Sequence, residues 1–511
     1  MRGSRTAGVM LLLLAVCSPV RALEVPEIAK AVPQEVPACE RTGAGGKGTL
    51  VLAQIDGLGY QKLLEALGGG HVPNIAALLE GGRYRLAPYL NGIPTVTMSV
   101  QSQIFYGRKL PGNEWYSKSK GTEMTAVEKE REFPGESGLL NGGWVFLSEL
   151  SGGAKKGADV RRLISDKMEQ SGQMEGVLEE LSEGSPLLLD HLLDGGTDSL
   201  WDLVTDSIGD TRKLKRDFRE KGYDKPLDKQ APYFFSLTGN VWSNIAKQGI
   251  QAAIEKGIPV VYADFSTFDE YLHYYGSPSK DPFDALRKID EQIGEVIAAA
   301  GKENSALMIF SDHGQTPTEN YTKKFGETPQ QTVDRLLKEV KPTAEAGELV
   351  FAHTYSMGNI YVKDVPGRLG LRELRARHPG FARALARHPG FGVVVARVDN
   401  GVTLLSEDIG RDPLAPYADS EATVDILRVQ LADYLATEET GDLVVFAPYK
   451  DGVTIDYNPN YTLISEHGGI GGGQMHPFII YDPSVLPFDP AGMTDARGMH
   501  GVLADYLQSG P

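Results

Sequence analysis

The chain has 511 residues, 41% hydrophobic and 23% charged, with a formal net charge of −17. That length can bury a large core and exceeds the usual size of one compact domain, so a main domain with insertions is expected. The acidic balance repels nucleic acids and anionic membranes, which excludes duplex nucleic acid as a partner; a small phosphate ester is still allowed, because divalent metals can offset its charge.

The N-terminus, MRGSRTAGVMLLLLAVCSPVRALE, joins basic Arg2 and Arg5 to an apolar run over residues 9–16 and then to Val20-Arg21-Ala22. This pattern predicts a signal peptide over residues 1–22, too short to span a membrane, and hence an exported protein, periplasmic or extracellular. A buried N-terminal helix is the structural alternative. Leu14-Ala15-Val16-Cys17 loosely resembles a lipoprotein cleavage box, with Val16 where a smaller residue is usual. Of the two cysteines, Cys17 lies in the signal segment, and its removal leaves Cys39 with no intrachain partner. Residues 23–47, rich in Pro, Ala, Glu and Gly, read as a linker.

The core is expected from residue 48. Residues 49–55, TLVLAQI, form an apolar run ending at Asp56-Gly57 and followed by the helix-like QKLLEALG, which reads as a buried strand of an α/β sheet. The same grammar recurs at GIPVVYADFS, residues 257–266, and at SALMIFSDHGQ, residues 305–315. Carboxylates fall at the carboxyl end of all three runs, where open α/β sheets collect functional groups. Residues 115–240 are polar and Gly-rich with helical patches such as LLDHLLDGGTDSLWDLVTDSI, and predict a mainly helical insertion. Residues 332–440 predict a smaller α/β cap, after which the core resumes over 441–511, at DLVVFAP. The doubled ARHPGF inside the cap invites reading as a basic, aromatic binding element. Two copies are too few for a solenoid, and Pro and Gly punctuating short helices is the simpler account.

Several residue groups carry chemistry. Asp269 and His273, four apart in FSTFDEYLHYYG, share one helix face and can clasp an ion, although a solvated face gives the same spacing by chance. Asp312-His313-Gly314 follows a buried strand directly, placing oxygen and nitrogen ligands in a cleft; a plain turn is the alternative. Asp56 is a third strand-end carboxylate, or else a helix cap. In GIPTVTMSV, residues 92–100, Pro94 and two threonines, Thr95 and Thr97, precede a helix-like segment; a Thr hydroxyl is a poor nucleophile unless a base or metal activates it. SEHGGIGGGQMHPF, residues 465–478, sets His467 and His476 around five glycines. The glycines run into the strand-like PFIIYDP with no Lys-Ser/Thr pair, which excludes a P-loop or dinucleotide motif.

Taken in order, strand-Asp, Pro-Thr-x-Thr, DxxxH, strand-DHG and His-Gly-Gly resemble the alkaline phosphatase superfamily, and within it the type I phosphodiesterase/nucleotide pyrophosphatase branch. The resemblance covers about residues 48–315 and 442–487. It implies an alkaline-phosphatase-like α/β/α sandwich with a mainly parallel central sheet, beside the helical insertion and the cap. It also implies two divalent metal ions, Zn2+ foremost, with Mn2+ or another metal tolerated. Asp56, Asp312 and His313 would hold one, and Asp269, His273 and His467 the other, with His476 the fallback ligand. Thr97 would be the nucleophile, forming a phospho-threonine intermediate on a small phosphate ester, a diester before a monoester. The family has an Asn three residues after this Thr, where Val100 stands here; Asn113 is the candidate for a further phosphoryl-binding Asn. Asp264 has the place of a strand-end Asp or, in a phosphomonoesterase, of a third-ion ligand. The absence of a Cys/Ser-x-Pro-x-Arg box argues against a sulfatase. A phosphomonoesterase or a phosphoethanolamine transferase of the same superfamily is the alternative, and an inactive metal-binding relative a further one. Oligomeric state is not legible.

Overall fold

The computed structural model describes residues 48–133, 138–154, 211–223, 225, 228, 231–232, 239, 242–276, 280–399, 401–405 and 412–509. The signal segment with Cys17, the linker with Cys39 and the helix-like stretch 188–208 lie outside the described residues.

The three apolar runs that end in carboxylates become adjacent strands. Leu50–Ile55 pairs in parallel with Val260–Phe265 on one side and with Ala306–Phe310 on the other. Trp144–Phe146 adds a parallel outer strand, while Phe478–Tyr481 runs antiparallel to Ala306–Phe310 and to the edge strand Arg85–Pro88. Among the described residues this makes one six-stranded, mainly parallel sheet. Its central strands are covered on both faces, which is why they read as continuous apolar runs. Val51, Ala53 and Ile55 pack with the helices Tyr60–Gly68, Ser243–Glu255 and Lys280–Lys302. Leu50 and Leu52 pack on the opposite face with Thr97–Tyr106 and Arg497–Gln508. The result is the expected α/β/α sandwich.

Where they are described, residues 115–240 hold helix, over Ala126–Glu130 and 211–221, and also strands that the sequence did not suggest. They open on a hairpin, Glu114–Ser117 with Thr122–Thr125, and they supply the strand Trp144–Phe146 of the main sheet. That strand is three residues long and follows Gly142-Gly143, so it leaves no apolar run to read.

The cap is built on a five-stranded antiparallel sheet, in the order Gly401–Leu405, Val393–Val398, Leu443–Phe446, Met357–Val362, Leu349–Thr354. Here the expected boundary at 441 is corrected: DLVVFAP supplies the middle strand of the cap sheet rather than a strand of the core. A four-residue apolar run carries no mark of which sheet it will complete. The ARHPGF copies end the helices Leu371–Arg377 and Phe381–Arg387. Their phenylalanines, Phe381 and Phe391, are buried in the cap core and bind nothing at the surface. Among the described residues, no helix is long and apolar enough to cross a membrane.

A third, small sheet joins Thr454–Asp456, Thr316–Asn320 and Ser465–Glu466. It carries the chain from the DHG turn and returns it at His467, so both segments face one cleft at the carboxyl ends of the parallel strands.

Candidate active site

Asp56 is the residue after Leu50–Ile55, and Asp312-His313 follow Ala306–Phe310, so the parallel pairing of these strands alone brings the three together. All three are buried. Nε2 of His313 lies 3.5 Å from Asp56 Oδ1 and 3.3 Å from Asp312 Oδ2. Its other ring nitrogen, Nδ1, is 3.1 Å from the Gly314 carbonyl, to which it can donate, and the ring is held with Nε2 turned toward the carboxylates.

Asp269 and His273 stand one turn apart on the helix Thr267–Tyr275, with Asp269 Oδ2 3.0 Å from His273 Nε2. His273 Nδ1 donates to the Ser465 carbonyl at 2.9 Å, and His467 Nδ1 donates to the Thr95 carbonyl at 2.9 Å. These bonds turn Nε2 of both rings into the site, where that of His273 pairs with Asp269 Oδ2. The His313 and His467 rings stack with centroids 3.7 Å apart, and the His273 ring is 5.3 Å from that of His467.

Three groups of buried side chains have ligand atoms within 4.8 Å of one another: Asp56, Asp312 and His313; Asp269, His313 and His467; and His273, Glu466 and His467. All six ligands named from the sequence fall in these groups, and His313 and His467 each belong to two of them. Burial raises the Asp269 carboxyl, but His273 and then His467 and His313 outweigh it and hold the group below its ordinary range. Burial, helped by His313, pushes His467 well down, toward the neutral form that binds metals. Asp312 Oδ2 is buried and accepts no hydrogen bond among the described residues, as suits an atom that ligates an ion.

Thr97 opens the helix Thr97–Tyr106, and its Oγ1 lies 3.2 Å from His313 Nε2. Unlike its buried neighbours Val96 and Ser99, Thr97 is partly exposed. The first intrahelical bond runs from Val100 N to Val96 O, so the amides before it are available to an anion at the helix start. Val100 itself is fully buried in the core and cannot replace an Asn side chain facing substrate.

Asp264 and His476 belong to none of these groups. The Asp264 carboxylate accepts from Gln54 Nε2 at 3.4 Å. His476 ends the turn Gly472–Met475, and its carbonyl accepts from Tyr60 N. Asn113 begins the hairpin; its Oδ1 is buried and has no hydrogen-bond partner among the described residues. Gly112 beside it lies against Thr354 of the cap.

Sequence reasoning missed several neighbours. Glu466 accepts from the His467 amide at 3.0 Å through Oε2 and sets Oε1 3.7 Å from His273 Nδ1. Its one signal was its position directly before His467. Thr95 receives His467 Nδ1 on its carbonyl and the Gly468 amide on its hydroxyl at 2.8 Å. The cap supplies Tyr355, with φ +51°, whose ring is 4.7 Å from that of His467. Ser356 donates to the His467 carbonyl. Gly468 has φ +95°, and a Cβ there would meet the Thr354 carbonyl at 2.6 Å, so glycine is required where cap and core touch.

The chain is similar in structure to the phosphonoacetate hydrolase of Sinorhizobium meliloti 1021, in complex with phosphonoformate, with a TM-score of 0.50 at 15% identity over 91% of this chain and 96% of that one. The same enzyme in complex with phosphonoacetate gives 0.51 at 14% identity, with the same coverage. An inactive form of a murine ectonucleotide pyrophosphatase/phosphodiesterase, in complex with AMP, gives 0.45 at 12% identity over 90% and 95% of the two chains. No curated protein sequence matches the chain. The likeness to the phosphonoacetate hydrolase speaks for the fold, and the sequence speaks for the family: residues 50–468 match the model of the type I phosphodiesterase / nucleotide pyrophosphatase family, and the chain belongs to it.

Proposed function

We infer that this hydrolase of phosphoric esters is an exported two-metal phosphodiesterase or pyrophosphatase that uses Thr97 as its nucleophile. The observation that carries the reading is the 3.2 Å approach of Thr97 Oγ1 to His313, a residue shared by two of the candidate ligand groups. The donor set fits hard-to-borderline divalent ions such as Zn2+ or Mn2+: carboxylate oxygens and imidazoles, buried together, with the recorded ion pairs of Asp269 and Asp312 made to histidines. When bound, such ions lower the pKa of a coordinated hydroxyl or water and neutralise charge on the phosphoryl oxygens.

The residues divide the work. Asp56, Asp312 and His313 would hold one ion, and Asp269, His273 and His467 the other. Thr97 Oγ attacks phosphorus as the bond to the leaving alkoxide or phosphate breaks, and the phosphoryl group passes to Thr97. Amides at the start of the helix Thr97–Tyr106 orient the phosphoryl oxygens. Water then attacks the phospho-threonine, which returns the hydroxyl and releases the product. Partial exposure of Thr97 beside buried ligands supports access by a small ester.

The test is hydrolysis of bis(p-nitrophenyl) phosphate against p-nitrophenyl phosphate, with zinc and with chelator. Faster turnover of the diester, lost with chelator and in Thr97→Ala, is expected. Diester hydrolysis that persists unchanged in Thr97→Ala would refute the mechanism, and faster monoester hydrolysis would move the reading to a phosphomonoesterase.

A further inference from the structure

We propose that Gln315, the residue after the DHG turn, is a positioning residue that makes Asp269 a single-oxygen metal ligand. The inference rests on the two-ion reading above and assigns a side chain that the motif does not include.

The Oδ1 side of the carboxylate is held by two residues. Gln315 Nε2 donates to Asp269 Oδ1 at 2.6 Å and to the Asp269 carbonyl at 2.9 Å. Both targets are acceptors, so a reversed amide would set oxygen against oxygen; only this orientation fits. Gln315 Oε1 is buried and has no hydrogen-bond partner among the described residues, so the amide is held through its nitrogen. Gly57 closes the Oδ1 side from the core: a Cβ built there would lie 2.1 Å from Oδ1. The remaining oxygen, Oδ2, is the one 3.0 Å from His273 Nε2.

A carboxylate can bind an ion through one oxygen or both, and the choice sets the coordination number and how much room is left for substrate. With Oδ1 committed to Gln315 and backed by Gly57, Asp269 offers Oδ2 alone. Without the amide, Oδ1 is free to swing onto the ion and fill a position that a phosphoryl oxygen needs.

Full-length wild type, Gln315→Met and Gln315→Ala are titrated with Co2+ as the probe, following visible absorption and bound metal per chain, and the metal-free proteins are melted alongside. The variants are expected to weaken one of two equivalents by roughly 10–100-fold, the range for partners of metal ligands. The visible bands of that Co2+ should also fall in intensity as its coordination number rises. The second equivalent should bind as in wild type. Identical affinity and spectrum in all three proteins would overturn the proposal. So would variants whose metal-free melting falls along with binding while the Co2+ bands keep their shape and intensity, since Gln315 would then be only a brace for the fold. A wild type that takes up no Co2+ would instead remove the two-ion reading itself.

Discussion

Thr97 Oγ1 lies 3.2 Å from Nε2 of His313, across 216 residues of sequence. Their meeting depends on the helix Thr97–Tyr106 packing against the face of the sheet whose central strands end at Asp56 and at the DHG turn. Thr97→Ala should lower kcat for bis(p-nitrophenyl) phosphate by roughly a thousandfold or more, with bound metal unchanged, and Thr97→Ser should keep a measurable part of the rate. Steady-state kinetics with metal analysis of each variant decides it. A wild-type rate in the alanine variant would show that another group attacks.

Gly57 makes a second prediction. It has φ +69°, and a Cβ there would overlap the Asp269 carboxylate. Gly57→Ala therefore combines left-handed strain of about 1–2 kcal/mol with displacement of a ligand. A lower melting temperature is expected together with loss of one bound ion. Calorimetry and metal analysis read the two effects separately, and full metal occupancy in the variant would contradict the placement of Asp269.

Metal removal should destabilise as well as inactivate. Carboxylates and imidazoles packed this closely repel or desolvate one another without cations. Ions that bind only the folded chain add about 2.7 kcal/mol at a free concentration one hundred times Kd. Dialysis against chelator should lower the melting temperature, and Zn2+ should restore both melting and diester hydrolysis. An unchanged melting curve would speak against ions at this site.

His353, in the cap strand Leu349–Thr354, gives a pH prediction away from the ligands. Burial pushes its imidazole down to about 4. The unfolded chain binds the proton near the ordinary value of 6.5, whereas the folded chain does not. Stability should therefore be fully present above about pH 6.5 and be lost as pH falls toward 4, by up to about 3 kcal/mol. Denaturant melts from pH 7 to 4 should show this slope flattened in His353→Gln. An equal slope in the variant would assign the loss to other groups.

Much of the core was legible because its signals are local. A continuous apolar run that stops at a carboxylate marks a buried parallel strand and its functional end, and the four-residue spacing of Asp269 and His273 is one helical turn. What stayed hidden depends on distant packing. The strand Trp144–Phe146 is too short to show a period, and Leu443–Phe446 looks the same whether it completes the core or the cap. Gln315 and Glu466 sit beside named ligands, yet nothing in their type reveals a role until Asp269 and His273, far off in sequence, come to rest against them. The need for glycine at Gly468 was equally hidden, since it is set by the cap backbone pressing against the chain there.

That contact has a consequence for how such a protein can change over time. His467 is gripped from the core by Thr95 and from the cap by Ser356 and the ring of Tyr355. The cap therefore is not an exchangeable lid on a finished site. Grafting a different cap onto this core would move His467 as well as the residues around it, so on the proposed two-ion function selectivity and metal retention would be inherited together.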